Sequence, residues 1–471
     1  MSQQEKKTLL LINPVSTVRK GFSQDLTSKY PPLALGMVAA ATPADEWKIY
    51  IIDENFNKAR VRHADLVGIT AYTENADRAY EVAAMYREHG IPVVMGGIHA
   101  SMCSGEARKY VDTVVVGEAE LTWPQLLEDF KQGRMQPIYR AIGYADLAKL
   151  PPARHDLFHP SYWHRIIQTS RGCPYDCDFC TVTAFNGRIY RARPVENILD
   201  EIEQCQGKYS SFIFADDNLI GNTPAQRQRA LDLFKGIVAR GIKIDWFSQV
   251  TVDVAEYPDL LHWARKSGCR ILLVGIEAET MEGLDSMNKI VNKRKGGISY
   301  YKKAFKTINK HGISVLGTFI LGLEGDTEQD IRNRAKFIVK SRVDAVQCSI
   351  LTPFPGTKLH KRLEQNGQIA CDNFPDDWHH FRFMDLAYFN KQMKPSVMAD
   401  EIEKAWRKIY SRPLIVYKLF RTWLATGSFV ASWWAFEANI RYRRDVLEKP
   451  VRRDFSREFH GNVDKVQERH S

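Results

Sequence analysis

The sequence predicts an α/β protein with a doubly wound parallel sheet, a partial barrel of six β/α units and a helical region, in that order. Three observations carry this expectation. Near-continuous apolar runs alternate with amphipathic stretches in the first part, six further strand-and-helix repeats follow, and strand patterning stops after about residue 370. Strands that are apolar on both faces and joined by helical crossovers belong to parallel sheets covered on both sides.

In residues 8–132 the apolar runs are TLLLIN, WKIYIID, ADLVGIT, IPVVMGG and DTVVVGE, with helix-like segments such as 74–89 between them. They define a flavodoxin-like (Rossmann-like) domain over 1–143. Residues 144–160 lose the periodicity and carry Pro151, Pro152 and Pro160, which favour extended backbone, so this stretch is expected to be a linker. Between 161 and 368 the alternation resumes with RIIQTS, SFIFADD, IDWFSQV, RILLVGIE, SVLGTFILG and DAVQCSIL. Helices are predicted near 194–205, 224–240, 257–267, 299–311 and 327–341. Six such units suit a partial TIM-type (β/α)6 barrel, whose chemistry sits on loops at the C-terminal ends of the strands. Residues 369–471 form the C-terminal region, with helices over 396–410 and 414–445.

Composition narrows the class. The 471 residues are 44% hydrophobic and 26% charged, which excludes a wholly disordered, collagen-like or integral-membrane chain. Of the net charge of +10, residues 401–471 contribute +6, from 15 Lys/Arg against 9 Asp/Glu. The basic tail has no nucleic-acid motif, and no nucleic-acid partner is expected. The first apolar run is too short for a signal segment, so a cytoplasmic protein with reduced thiols is expected.

Eight cysteines are present, and three of them, Cys173, Cys177 and Cys180, cluster in SRGCPYDCDFC directly after the first barrel strand. Structural zinc wants four tetrahedral ligands, and this segment supplies three with no histidine nearby; a remote fourth ligand would be a residue such as Cys205. An iron–sulfur cube on three thiolates keeps one iron open for substrate.

The Cys-x3-Cys-x-Phe-Cys frame, at Cys173, Cys177, Phe179 and Cys180, resembles the signature of the radical S-adenosylmethionine (SAM) superfamily. The resemblance implies a [4Fe–4S] cluster that chelates SAM, cleaves its sulfonium after one-electron reduction and yields a 5′-deoxyadenosyl radical. A low-potential donor of the flavodoxin or ferredoxin type is the implied electron source. SAM-contacting positions implied by the resemblance are Phe179, Asp216 and Asp217 after the second strand, Glu277 at the end of the fourth, and Gly317 and Gly322 along the fifth. Each has a plainer reading as cap, solvated carboxylate or packing glycine. Pro353–Thr357 resembles the family's turn after the sixth strand, and a plain turn explains it almost as well.

The first domain lacks the Gly-x-Gly-x-x-Gly nucleotide fingerprint. With the barrel behind it, LVGITAYTENADRAYEVAAMYREHGIPVVMGGIHASM resembles the cobalamin-binding domain of the cobalamin-dependent branch of that superfamily. The contacts so implied are Asn13, Thr70, Thr73, Gly96, Gly97, His99, Gly117 and Glu118. The Asp-x-His-x-x-Gly motif that supplies an axial histidine in other cobalamin proteins is absent.

The stretch 414–436 is apolar and aromatic but too short between charges to span a bilayer. It suits core or substrate-covering helices, or a peripheral membrane contact. The resemblance implies a radical SAM enzyme that uses cobalamin to methylate an unactivated carbon of an apolar, tetrapyrrole-like or lipid-like substrate. The alternatives are a radical cyclase, oxidase or carbon–carbon bond former, and a non-catalytic metal-binding protein.

Overall fold

The computed structural model describes residues 5–16, 30–205, 210–453 and 455. The chain divides into two units, residues 1–166 with 373–379, and 167–372 with 380–471.

The first unit holds strands β1 (Lys7–Asn13), β2 (Trp47–Asp53), β3 (Leu66–Thr70), β4 (Val93–Gly96), β5 (Thr113–Val116) and β6 (Ile138–Arg140). They form one sheet in the order β2-β1-β3-β4-β5-β6, parallel throughout. The five expected strands are present. The sixth, a three-residue edge strand, is too short for periodicity to reveal. Helices α1 (Leu33–Ala40), α2 (Ala76–Arg87), α3 (Ile98–Met102), α4 (Ser104–Ala107) and α5 (Trp123–Lys131) connect them. Leu9, Leu11, Leu66, Val94 and Val115 pack with Leu35, Trp123 and Leu126 in one core. Because helices cover both faces, the central strands need no polar alternation.

Residues 144–160 hold two short 3-10 turns, Leu147–Lys149 and His155–Leu157, between extended pieces, and strap onto this unit. Ala145, Leu147, Ala153, Phe158 and Tyr162 are buried, Arg154 N–H donates to the Gly36 carbonyl (3.1 Å), and Tyr162 donates to Asp53.

The second unit begins with β7 (Arg165–Ile167), then a short antiparallel pair, β8 (Ser170–Arg171) and β9 (Arg191–Ala192), with α6 (Thr181–Asn186) between them. The remaining strands are β10 (Ser211–Phe214), β11 (Asp245–Val250), β12 (Cys269–Glu277), β13 (Ser314–Leu321) and β14 (Ala345–Ile350). Their order, β14-β13-β12-β11-β10-β7, is sequential, so the sheet is a six-stranded barrel left open between its first and last strands. The crossovers are α7 (Val195–Cys205), α8 (Pro224–Ala239), α9 (Pro258–Lys266), α10 (Met281–Ser286), α11 (Ile290–Arg294), α12 (Ile298–Lys310) and α13 (Glu328–Lys340), with α14 (Lys358–Gln365) after β14. Thr223 and Thr327 cap α8 and α13 through reciprocal side-chain and backbone hydrogen bonds, which fixes where these helices start.

Three helices end the described chain: α15 (Pro395–Ile409), α16 (Arg412–Thr426) and α17 (Phe429–Leu447). The helix expected over 414–445 is two. Gly427, in a left-handed conformation, ends α16, and the Ser428 side chain caps α17. Helix α17 lies on the sheet: Ala435 and Ala438 pack with Ile271, Leu316 and Ala345, and Asn439 Oδ1 accepts from Val346 N–H. These contacts fall near the strand starts, so α17 floors the barrel and leaves the C-terminal mouth to the polar loops. Among the described residues, no helix is long and apolar enough to cross a membrane.

Candidate active site

The three clustered cysteines lie on one loop, residues 172–180, clasped at its base by the β8–β9 pair. Gly172 opens the loop with φ +85°, and a Cβ there would lie 2.1 Å from the Ile189 carbonyl oxygen, so only glycine fits. Three further parts of the barrel mouth hold the loop. Asp178 N–H donates to the Met287 carbonyl (3.1 Å) and Asn288 Nδ2 to that of Asp176 (2.7 Å). From α14, Arg362 pairs with Asp178 (2.8 Å) and Lys358 with Asp176 (2.6 Å). From the end of β10, Asp217 accepts from Gly172 N–H (2.9 Å).

Burial pushes the Cys173 thiol up to about 12 and that of Cys177 to about 11, and raises that of Cys180. Backbone N–H groups counter this, from Tyr175 toward Cys173 and from Val182 and Thr183 toward Cys180, as does the Lys289 ammonium. Such sulfurs become thiolates when a metal takes the charge. Among the described residues, no group of three or more His, Cys, Asp or Glu side chains closes around a single ion. Four-ligand zinc geometry would bring thiolates within about 4 Å of one another, given zinc–sulfur bonds near 2.3 Å. Cys205 is buried in α7 and does not complete such a cage. Three thiolates on one loop are a ligand set that suits a four-iron cube with one iron left open.

Across the mouth, β12 ends on a bulge: its register with β13 slips between Gly275 and Glu277, and Glu277 itself has φ +64°. A positive φ at a buried glutamate is strain of the kind that marks functional sites. Lys289 Nζ donates to Glu277 Oε1 (2.9 Å) and Thr318 Oγ1 to Oε2 (3.0 Å). A Cβ on Gly275 would fall within 2.7 Å of both Glu277 and Lys289, so the pair rests directly on the backbone. Burial alone would lower the pKa of Lys289, but Glu277 and the thiols of Cys177 and Cys180 hold it above the usual lysine value. Asn292 Nδ2 fixes the bulge by donating to the carbonyls of Gly275 (2.9 Å) and Ile276 (3.0 Å).

Other expected SAM positions are placed as supports. Asp216 is fully buried and accepts from Thr169 (2.8 Å) and Ser170, tying β10 to the root of the cysteine loop. Asp217, lifted to about 6 by burial, holds the loop's first N–H. Phe179 lines a crevice with Met287, Leu351 and Leu359. A Cβ on Gly317 would meet Val343 and Phe319, and one on Gly322 would meet Met398, so both glycines make room for packing. No spacing in the sequence signals Lys289, Asn292 or Thr318, because their meaning depends on a loop and strands brought together by the barrel.

In the first unit, Thr70 and Gly96 pair in register at the carboxyl ends of β3 and β4. A Cβ on Gly97 would lie 2.8 Å from Thr70 Oγ1. Beside them His99 is fully buried, with Nε2 3.0 Å from Tyr80 OH, and Glu106 accepts from Tyr80 (2.8 Å) and Trp378 Nε1 (2.9 Å). His99 Nδ1 has no hydrogen-bond partner. Asn13 donates to Asp53 (3.0 Å), Glu118 accepts from Ala145 N–H (2.6 Å), Thr73 is buried in the turn before α2, and Gly117 N–H donates to Ser101 (3.0 Å). A sheet whose order reverses between β1 and β3 presents a ligand crevice at this edge. Gly96, where a Cβ would meet nothing closer than 3.8 Å, and Thr70 beside it leave the sheet edge open to a large ligand there, whereas Gly97 makes room for Thr70 and Ala71.

A barrel of this topology with three thiols on the loop after its first strand defines a radical SAM domain, and the Radical SAM superfamily model matches residues 167–338. The B12 binding domain model matches residues 20–127. The chain carries a radical SAM domain and a B12 binding domain. The cofactors of these two domains are a [4Fe–4S] cluster, SAM and cobalamin. Similar proteins include the bacteriochlorophyllide d C-12(1)-methyltransferase of Chlorobaculum tepidum, 26% identical over 431 residues, with 88% of this chain and 90% of the relative covered. The hopanoid C-2 methylase of Rhodopseudomonas palustris is 28% identical over 394 residues, covering 79% and 73%. Among solved structures, the methyltransferase TsrM from Kitasatospora setae, with cobalamin and a [4Fe–4S] cluster bound, shares the fold at a TM-score of 0.68 and 17% identity, covering 94% of this chain and all of that one.

Proposed function

We propose that this enzyme methylates an unactivated carbon of a bulky apolar substrate of the tetrapyrrole or polycyclic-lipid class. The observation that carries the reading is the cysteine loop facing the Glu277–Lys289 pair, in a chain whose first unit is a B12 binding domain. When bound, the cluster supplies the electron that splits the SAM sulfonium, and cobalamin supplies a methyl carrier.

The chain's own residues do the rest. Cys173, Cys177 and Cys180 would hold the cluster, and Asp217, Asn288, Lys358 and Arg362 fix the loop that carries them. Lys289, poised between these thiols and Glu277, offers a buried positive charge to the SAM carboxylate, and Glu277 offers an acceptor to its ammonium or ribose. With α17 closing the floor, strand ends and loops wall the mouth in which these residues would hold SAM. Unactivated carbon has neither a lone pair nor an acidic proton, so acid–base side chains alone cannot activate it. An electron donor of the flavodoxin or ferredoxin type completes the reading.

Anaerobic incubation of the reconstituted protein with reductant, SAM carrying a labelled methyl group and candidate tetrapyrroles or hopanoids tests it. The expected product carries the label on carbon, together with 5′-deoxyadenosine. Formation of 5′-deoxyadenosine with a cyclised or oxidised, unlabelled product would replace methyl transfer by the cyclase reading.

A further inference from the structure

Helices α16 and α17 are joined by the two-residue turn Gly427–Ser428 and pack as an antiparallel hairpin. One side of the hairpin is spoken for: Ile415, Ala431, Ala435 and Ala438 are buried. The other side should be polar in a helix that merely covers a core. Instead Val416, Tyr417, Phe420, Trp423 and Leu424 recur at three- and four-residue spacing along exposed α16, and Leu424 is 84% exposed. Phe429, Val430 and Trp433 continue the apolar surface around the tip onto α17. Trp423 meets Phe429 edge-on (5.9 Å) and Phe429 stacks on Trp433 (6.0 Å), so the tip is one aromatic cluster. Contiguous exposed apolar surface of this kind marks a docking site.

Charge selects the occupant. Of the cations in residues 412–436, Lys418 is buried and Arg421 pairs with Asp344 (2.7 Å), which leaves Arg412 at the surface; the segment has no Asp or Glu, and Glu437, just after it, is exposed and accepts from Trp433 Nε1 (2.9 Å). Lys408 in the last turn of α15, Arg412 at the start of α16 and Arg444 near the end of α17 are exposed. Because the helices are antiparallel, Arg412 and Arg444 stand at the open end of the hairpin, roughly 22 Å from the Gly427–Ser428 turn at about 1.5 Å per residue. An apolar, tryptophan-bearing tip below a cationic collar matches one leaflet: acyl chains, interface, then anionic headgroups. A second copy of the chain would bring the same exposed cations, and the carboxylate beside its apolar face, Glu437, is already bonded to Trp433 of its own helix.

We infer that the α16–α17 hairpin docks this enzyme on an anionic lipid surface, with the 416–433 face entering one leaflet and Lys408, Arg412 and Arg444 at the headgroups. This goes beyond the methyltransferase reading and does not depend on it, because lipid binding needs neither cofactors nor substrate.

Flotation of the full-length protein with phosphatidylcholine vesicles, with and without phosphatidylglycerol, tests the inference alongside tryptophan emission. Wild type should float with the anionic vesicles, with emission shifted to the blue, and should be released by high salt. Leu424→Glu with Phe420→Glu should weaken partitioning at least about tenfold, given the apolar area of two large side chains. Arg412→Gln with Arg444→Gln should weaken it about fivefold per charge on anionic vesicles only. Both variants should keep the wild-type circular dichroism and SAM cleavage. The milder Leu424→Ser, at the most exposed position, should still bind measurably less. Failure of wild type to bind anionic vesicles overturns the inference. So does binding that ignores the apolar substitutions, or a solution dimer that they convert to monomer without any vesicle binding.

Discussion

Lys418→Met separates burial from charge in the helix that carries the hairpin. Lys418 is 2% exposed, and its ammonium nitrogen has no hydrogen-bond partner. Burial first, then the neighbouring Arg421, lowers its pKa from 10.5 to about 7, with Asp344 pulling the other way. The folded value lies below the unfolded one, so between about pH 7 and 10.5 the unfolded chain binds more protons and stability rises with pH. At about 1.4 kcal/mol per tenfold change in proton affinity, keeping this amine neutral at pH 7 costs folding about 4 kcal/mol. Methionine has nearly the same length and volume and no charge. The variant should therefore be about 3–4 kcal/mol more stable near pH 7, and the gap should close by about 1.4 kcal/mol for each pH unit above it. Denaturant unfolding of both proteins at about pH 7, 8 and 9 measures this. A gap that stays constant with pH, or a variant less stable than wild type near neutrality, would refute the reasoning.

Other positions give sharper functional readouts. Cys177→Ala should abolish the cluster's visible absorbance and SAM cleavage while leaving the circular dichroism unchanged, since the loop is held by Asp178, Asn288 and Gly172 as well. Gly172→Ala forces a Cβ against the Ile189 carbonyl at a positive φ, and should cost about 2 kcal/mol or more and lower iron content per chain on reconstitution. Glu277→Gln keeps the shape but removes the charge opposing Lys289; KM for SAM should rise about tenfold with cluster content unchanged, a loss of about 1.4 kcal/mol of binding. Arg334→Met strands the buried carboxylates of Glu279 and Asp326, and should destabilise the barrel by about 3–5 kcal/mol in denaturant unfolding.

The sheet strands were legible because strands buried on both faces must be apolar throughout, and the cysteine loop because its three thiols are local in sequence. Long-range partners were not. Lys289 is an ordinary surface-type residue in MNKIVN until the turn after α10 folds over the loop and sets it against Glu277. Asp216 reads as a ligand from its place at a strand end, yet complete burial and two hydroxyl donors make it a brace. His99 is visible as a candidate, but its enclosure by Tyr80, Glu106 and Trp378 depends on a residue 279 positions further along the chain. The apolar run at 414–436 is as consistent with a floor as with an exposed face. Only the packing of α17 on Ile271, Leu316 and Ala345 shows that the hairpin has both.

Anaerobic reconstitution with iron and sulfide, reduction, and assay of SAM cleavage addresses the central claim most directly. Wild type should show an electron paramagnetic resonance signal of a reduced four-iron cluster that changes when SAM is added, and should release 5′-deoxyadenosine; alanine at any of Cys173, Cys177 or Cys180 should remove both. A diamagnetic ion held tightly in a closed four-ligand site, with SAM left intact, would contradict it.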